Sequence, residues 1–269
     1  MSSVHLELGR LGHWRRWGIV AALLGATGLG LTDDLRATAL TGRFRVNQWD
    51  VALEGLNNVP IVVFILIPLF IALVTDMMIG DRRTAYAVLS LPRAGRTTWW
   101  RGKVLALLVL GQLYFLLVVG VFSAVGSILL NTGWKLSEYG ATVPGDISTL
   151  AGGTKYYPPP PFPNAPLLGV LVEASYAAVA TSVFAVCCFA LAEFWPQRWM
   201  PLALDLAASF VFYRIPPMAA HPLMNLFWTY HSLQRSDVAL QWWASAVFLP
   251  LELGLGFLVG WRAVRRADI

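Results

Sequence analysis

Apolar residues run in long blocks along the chain, separated by shorter polar or basic stretches. A helix that crosses a bilayer needs roughly 20 mostly apolar residues. On that basis six segments are predicted to span: 17–31, 59–79, 104–130, 167–191, 199–215 and 242–261. The first is short and glycine-rich, and 104–130 is long enough to tilt or protrude. The fifth contains Asp205 and Arg214 and is the least apolar. Basic residues precede the first block without a convincing small-residue cleavage site, so it is expected to remain as a span. The fold expected is an all-α integral membrane protein, a single transmembrane domain over 1–269 with six helices.

The connections differ in character. Segment 131–166 holds Gly133, Gly140, Pro144, Gly145, Gly152, Gly153 and the run Pro158 to Pro161, a composition that gives a semi-rigid, polyproline-like surface segment. It reads as a spacer, or as a lid or docking site for something outside. Segment 216–241 is too polar to span but keeps Leu223, Leu226, Phe227, Trp228 and Tyr230, and it opens with Pro216 and Pro217. Interfacial or re-entrant helices are expected there. With 32–58 these make the three outer loops, and no internal repeat relates the two halves.

Composition turns this pattern into a class. Of 269 residues 57% are hydrophobic and only 13% are charged, against about 45–50% and about 25% in soluble domains. With a mean hydropathy of +0.60, a single large soluble core and a disordered chain are both excluded. The net charge of +5 then bears on topology. Placing the N-terminus inside puts 13 of the 20 basic residues on the cytoplasmic side and 7 outside, where Asp33, Asp34, Asp50 and Glu54 offset them. Both termini are expected in the cytoplasm, and the basic excess is no nucleic-acid footprint.

Chemistry is sparse. The nearest approach to a phosphate-binding loop is Gly102-Lys103-Val104, with Thr97 in place of the first glycine and Val in place of Ser or Thr, so ATP chemistry belongs to another chain. His5, His13, His221 and His231 lack metal-ligand spacing, no Gly-x-Ser-x-Gly turn occurs, and Cys187 and Cys188 are adjacent in an apolar run. No catalytic residue and no metal site is expected. Carboxylates inside spans are costly and are usually paired or functional. Glu173, Asp205 and Glu252 are the candidates, with Asp76 at the inner end of the second span and Arg214 at a depth where it could pair with Glu173. They could fix packing, relay protons or line a polar path. Gly256 and Gly260 form a Gly-x-x-x-Gly face, and Gly25 with Gly28 lets the first span approach a neighbour. Such faces serve either the bundle or a subunit contact.

The most specific stretch is cytoplasmic, 81–103, with six of the 20 basic residues. Tyr86, Leu89 and Ser90 fall on one helical face, Pro92 ends the turn, and Gly95 permits the chain to reverse. A second short segment, 96–103, leads into the third span. The plain alternative is an amphipathic helix lying on the lipid surface.

In order, Asp81, Thr84, Leu89-Ser90-Leu91-Pro92, Arg93, Arg96 and Gly102-Lys103 resemble the membrane subunits of ABC transporters of the type-2 exporter class, and Arg82 belongs to the same coupling loop. Arg83 departs from the pattern, since members often carry glycine there. The resemblance implies an N-terminal amphipathic helix, fitted by 4–14, and re-entrant helices before the last span, fitted by 216–241. It further implies a permease without cofactors of its own. Two permease copies, identical or related, would pair with two ATPase subunits that hold ATP and Mg²⁺. The complex would lie in the cell membrane, in a prokaryotic setting. A Pro-terminated helix with arginine flanks suits an acidic-rimmed cleft on such a partner. Two other classes stand beside this one. One is a proton-coupled secondary transporter using Glu252, Glu173 and Asp205. The other is a non-transporting membrane anchor or immunity protein that holds a ligand through its outer loops.

Overall fold

The computed structural model describes residues 14–42, 45–78, 95–130, 132–133, 166–195, 197–214 and 240–266. The expected amphipathic helix at 4–14 lies almost wholly outside these residues, as do most of 131–166 and all of 216–239. Among the described residues the regular elements are helices, and no strand forms. We number them α1, Trp14–Gly42; α2, Gln48–Asn57; α3, which comprises Val59–Ile61, Val62–Leu66 and Ile67–Met78; α4, Arg96–Leu129; α5, Pro166–Ala192; α6, Met200–Arg214; and α7, Leu240–Arg266.

Among the described residues three segments are long and apolar enough to cross a bilayer: Arg15–Ala37 in α1, Thr97–Leu129 in α4 and Pro166–Ala192 in α5. The 27 residues of α5 reach about 40 Å at 1.5 Å per residue. Two shorter apolar stretches, Val62–Thr75 and Met200–Phe210, belong to α3 and α6. The contacts order the helices end to end. At one end Lys103 meets Met77, and Trp100 meets Phe257. At the other, Arg36 donates to the Leu129 carbonyl and Gln48 bonds Gly133. Thus α4 runs antiparallel to α3, α5 and α7, and parallel to α1.

The stretch expected as a loop at 32–58 is mostly helical: α1 continues to Gly42 and α2 occupies 48–57. The reason is local. Asn47 accepts a hydrogen bond from the Trp49 N–H (3.0 Å) while its own N–H donates to Asp50 Oδ2 (2.7 Å), a reciprocal cap that starts a helix. Gln48 and the Trp49 indole then both bond the backbone of Gly133. Val51, Ala52 and Leu56 are wholly buried, so α2 is part of the core and not a surface connection. Asn58 ends α2 through its N–H to the Glu54 carbonyl (2.8 Å), and its own carbonyl accepts from Val62 (2.9 Å) to begin α3.

Within α3, Pro68 has no N–H to give the preceding turn. The turn before it widens into the π-helical segment Val62–Leu66, in which the Ile67 N–H reaches the Val62 carbonyl. Tyr114 of α4 donates to the Leu66 carbonyl (2.8 Å) at the end of that wide turn, with its ring 5.4 Å from Phe70.

Glycine sets how closely the helices approach α4. A methyl group added at Gly55 would lie 2.1 Å from the Phe122 ring, and one at Gly28 3.2 Å from it, so Phe122 fills the space between α1 and α2. On α4 itself, Gly111 receives Ser182 of α5, and Gly126 lies against the Gln48 backbone. The Gly-x-x-x-Gly face of α7 is used inside the bundle: Gly256 abuts Cys187 and Gly260 abuts Trp100. Gly25 meets nothing within 4 Å. Filling a slot of this kind forces backbone apart, which typically costs about 1–3 kcal/mol or more. Gly55→Leu should therefore lower the thermal midpoint of the detergent-solubilised protein by several degrees, whereas Gly120→Leu, facing open space, should leave it unchanged.

Candidate functional site

Residues Asp81, Arg82, Arg83, Thr84, Tyr86, Leu89, Ser90, Pro92 and Arg93 lie outside the described residues. Their frame is described, and it is built from three helix ends. Gly95 precedes α4 with φ +73° and ψ 148°, a backbone that residues with a Cβ rarely adopt, so a glycine is required at this position. Arg96 opens α4, and the separate segment expected at 96–103 is simply the first two turns of that helix. The Trp99 N–H reaches back to the Gly95 carbonyl (3.1 Å).

Lys103 is fully buried, and its Nζ donates to the Met77 carbonyl one residue before the end of α3. A cation at a helix C-terminus satisfies an orphan carbonyl and complements the dipole. The same ammonium lies 4.7 Å from the centre of the Trp99 ring. Two tryptophans join α4 to α7. Trp100, also fully buried, donates its indole N–H to the Phe257 carbonyl (3.0 Å), and Trp261 donates to Thr97 Oγ1 (2.9 Å). Arg265 covers the Trp261 ring at 4.1 Å. Segment 79–94 is therefore suspended between two helix ends that are fastened to each other, and α7 is fastened to the second of them.

The acids within the bundle fall into two places. Asp205 of α6 is 0% exposed and lies within reach of the Ser209 hydroxyl. Ser209, one turn on, is buried too. Asp205 and Glu252 both come within electrostatic reach of Cys188, and the backbone carbonyl of Glu252 lies 3.6 Å from the Cys187 thiol. Glu173 stands apart: it precedes Cys188 on α5 by about 22 Å of helix. It is 2% exposed, and its Oε1 is without a partner among the described residues. Arg214 is the last residue of α6, and its side chain, like that of Asp76, is not among the described atoms. The structure thus gathers Asp205 and Glu252 around one cysteine pair and leaves Glu173 elsewhere.

Two acids expected as solvated charges are instead buried. Asp50 caps α2, and Glu54 Oε1 accepts from Asn58 Nδ2 (3.0 Å). The capping box at 47–50 is the sequence signal that could have found the first. Among the described residues no group of three or more His, Cys, Asp or Glu side chains could hold a metal. A cleft of about 560 Å³ between α1 and α3 is lined by Leu23, Thr27, Phe64, Pro68, Ala72 and Leu202 among others. A second, about 480 Å³, lies where α4, α5 and α7 meet, with Gln112 its polar residue. Among the described residues no ionisable side chain lines either cleft.

No family model matches the chain, and no curated protein or solved structure matches it. The exporter resemblance rests on the residues of 81–103.

Replacing Lys103 by Met keeps the volume and removes the cation from the end of α3. We expect a loss of about 1–2 kcal/mol, seen as a lower thermal midpoint, together with faster proteolysis within 79–94. An unchanged midpoint and cleavage rate would show that Lys103 does not hold α3 to α4.

Proposed function

We propose that this chain is the permease subunit of an ATP-driven exporter of the ABC type-2 class, working with a second permease copy and two separate ATPase subunits. The observation that carries the reading is the basic Leu89-Ser90-Leu91-Pro92 segment, suspended between α3 and α4 whose ends Lys103 ties together. Flanking helices fastened in this way would carry a movement of the segment into the bundle. ATP and Mg²⁺ belong to the partner, since the chain has no phosphate-binding loop. When the ATPase pair closes, 81–94 moves with it, and α3 and α4 follow.

In this reading α1, α3, α4, α5, α6 and α7 are the six spans, and the end of the bundle that holds 14, 78, 96 and 266 faces the cytoplasm. The excess of basic residues at that end agrees with this orientation. The protein then lies in a prokaryotic cell membrane. A second reading, proton-coupled transport by the chain alone, is favoured by the buried carboxylate of Asp205, because an intramembrane acid is costly and is usually paired or functional.

Co-expression with an ATPase subunit should give a complex that purifies intact and hydrolyses ATP. Leu89→Asp or Tyr86→Ala should abolish assembly or turnover while membrane insertion stays normal. Transport by the purified chain in liposomes, driven by a pH gradient without any ATPase and lost in Asp205→Asn, would replace the exporter reading by the proton-coupled one.

A further inference from the structure

The contacts between the start of α4 and the end of α7 are reciprocal. Trp100 of α4 reaches α7, where Gly260 leaves the space its indole fills; a methyl group at Gly260 would lie 2.1 Å from that ring. The indole N–H continues to the Phe257 carbonyl (3.0 Å). Trp261 of α7 reaches the other way and donates to Thr97 Oγ1 (2.9 Å). Thr97 and Trp100 are three residues apart, and so lie on one face of α4 about one turn apart. Phe257 and Trp261 are four residues apart and do the same on α7. Two bonds of opposite direction, one turn apart, oppose both sliding and rolling of one helix on the other.

The attachment to α3 is of another kind. There the buried Lys103 ammonium holds a carbonyl of the last turn. Further along α7, Gly256 is seated against Cys187 of α5, where a methyl group would lie 2.9 Å from the thiol. A displacement of the α4 start thus reaches α7 rigidly and bears on α5.

We infer that Thr97, Trp100, Gly260 and Trp261 form a two-point clasp that makes the start of α4 and the end of α7 one moving body, delivering the motion of segment 79–94 to the last helix. The inference rests on the exporter reading and adds to it the route by which the partner's stroke leaves the loop. These four are positioning residues; none touches nucleotide or cargo.

The test uses the full permease–ATPase complex in liposomes, with cargo moved per ATP hydrolysed as the readout. Trp100→Phe and Trp261→Phe keep an aromatic ring and remove one donor each. Each should lower cargo per ATP by about fivefold, the weight of one net hydrogen bond, with basal ATP hydrolysis unchanged. A second variant carries Thr97→Cys and Trp261→Cys in a chain whose Cys187 and Cys188 are alanine. A short bifunctional thiol reagent should bridge the pair, in the isolated chain as well as in the complex, and should restore coupling when Trp100→Phe is added. Full coupling in the double Phe variant overturns the clasp, and so does a bridge that abolishes transport in a chain with Trp100 intact, since the helices would then have to part. A chain that bridges at 97 and 261 but engages no ATPase overturns the exporter reading, and the relay with it.

Discussion

In hydrocarbon, apolar side chains gain little by leaving lipid for one another, so helices associate through close backbone approach and through buried polar bonds. The bundle is organised around α4 because that helix supplies both. Gly111 and Gly126 admit α5 and α2 almost to backbone contact, and Phe122 projects into the spaces left by Gly28 and Gly55. Tyr114 bonds a carbonyl of α3 in the middle of the bundle. Each such bond between membrane helices is worth only about 0.6 kcal/mol on average, so the fit of the surfaces does most of the holding. Remove the fit and the bonds cannot compensate.

The two ends of the bundle are closed by different chemistry. At the end that holds α2, closure is by backbone recognition: Gln48 and Trp49 grip Gly133, and Arg36 reaches the last carbonyl of α4. At the other end it is by long side chains on α4 and α7 that cross to neighbouring helices, Lys103 to α3, Trp100 to α7 and Trp261 back to α4. The second arrangement lies at the helix ends that segment 79–94 connects. In the proposed exporter, a loop that passes motion to the bundle needs its flanking helices fixed at their ends, and the bonds of Lys103 to α3 and Trp100 to α7 supply such fixings at the start of α4.

How much of this was legible depends on the physical signal in question. Long apolar runs report membrane helices directly, and the runs at 104–130 and 167–191 fall on α4 and α5. The run at 17–31 understated its helix, since Asp33, Asp34 and Arg36 lower local hydropathy without interrupting helical backbone. α2 was missed because ten residues with two acids resemble a loop; its burial comes from α4, whose Phe122 and Gly126 pack against Gly55 and Gln48, and no local pattern reports that. The Gly256 and Gly260 face was visible as a pattern, but its partners, Cys187 and Trp100, were not, because spacing on one helix does not say which neighbour fills it. The acids were legible as costly and not as a group: Asp205 and Glu252 converge near Cys188 only once α5, α6 and α7 are packed, and Glu173 is left apart. Lys103 read as the basic half of a Gly-Lys pair, and its role at the end of α3 appears only with the fold.

The central claim is that segment 79–94 is gripped by a separate ATPase. The most direct measurement places a photo-activatable amino acid at position 89 and irradiates intact membranes in which the chain and its candidate ATPase are co-expressed. The account predicts one adduct whose mass is the sum of the permease and the ATPase subunit, lost when the photoprobe is moved to an outer position such as 141. Adducts with lipid alone from position 89, with the ATPase present in the same membrane, would contradict it.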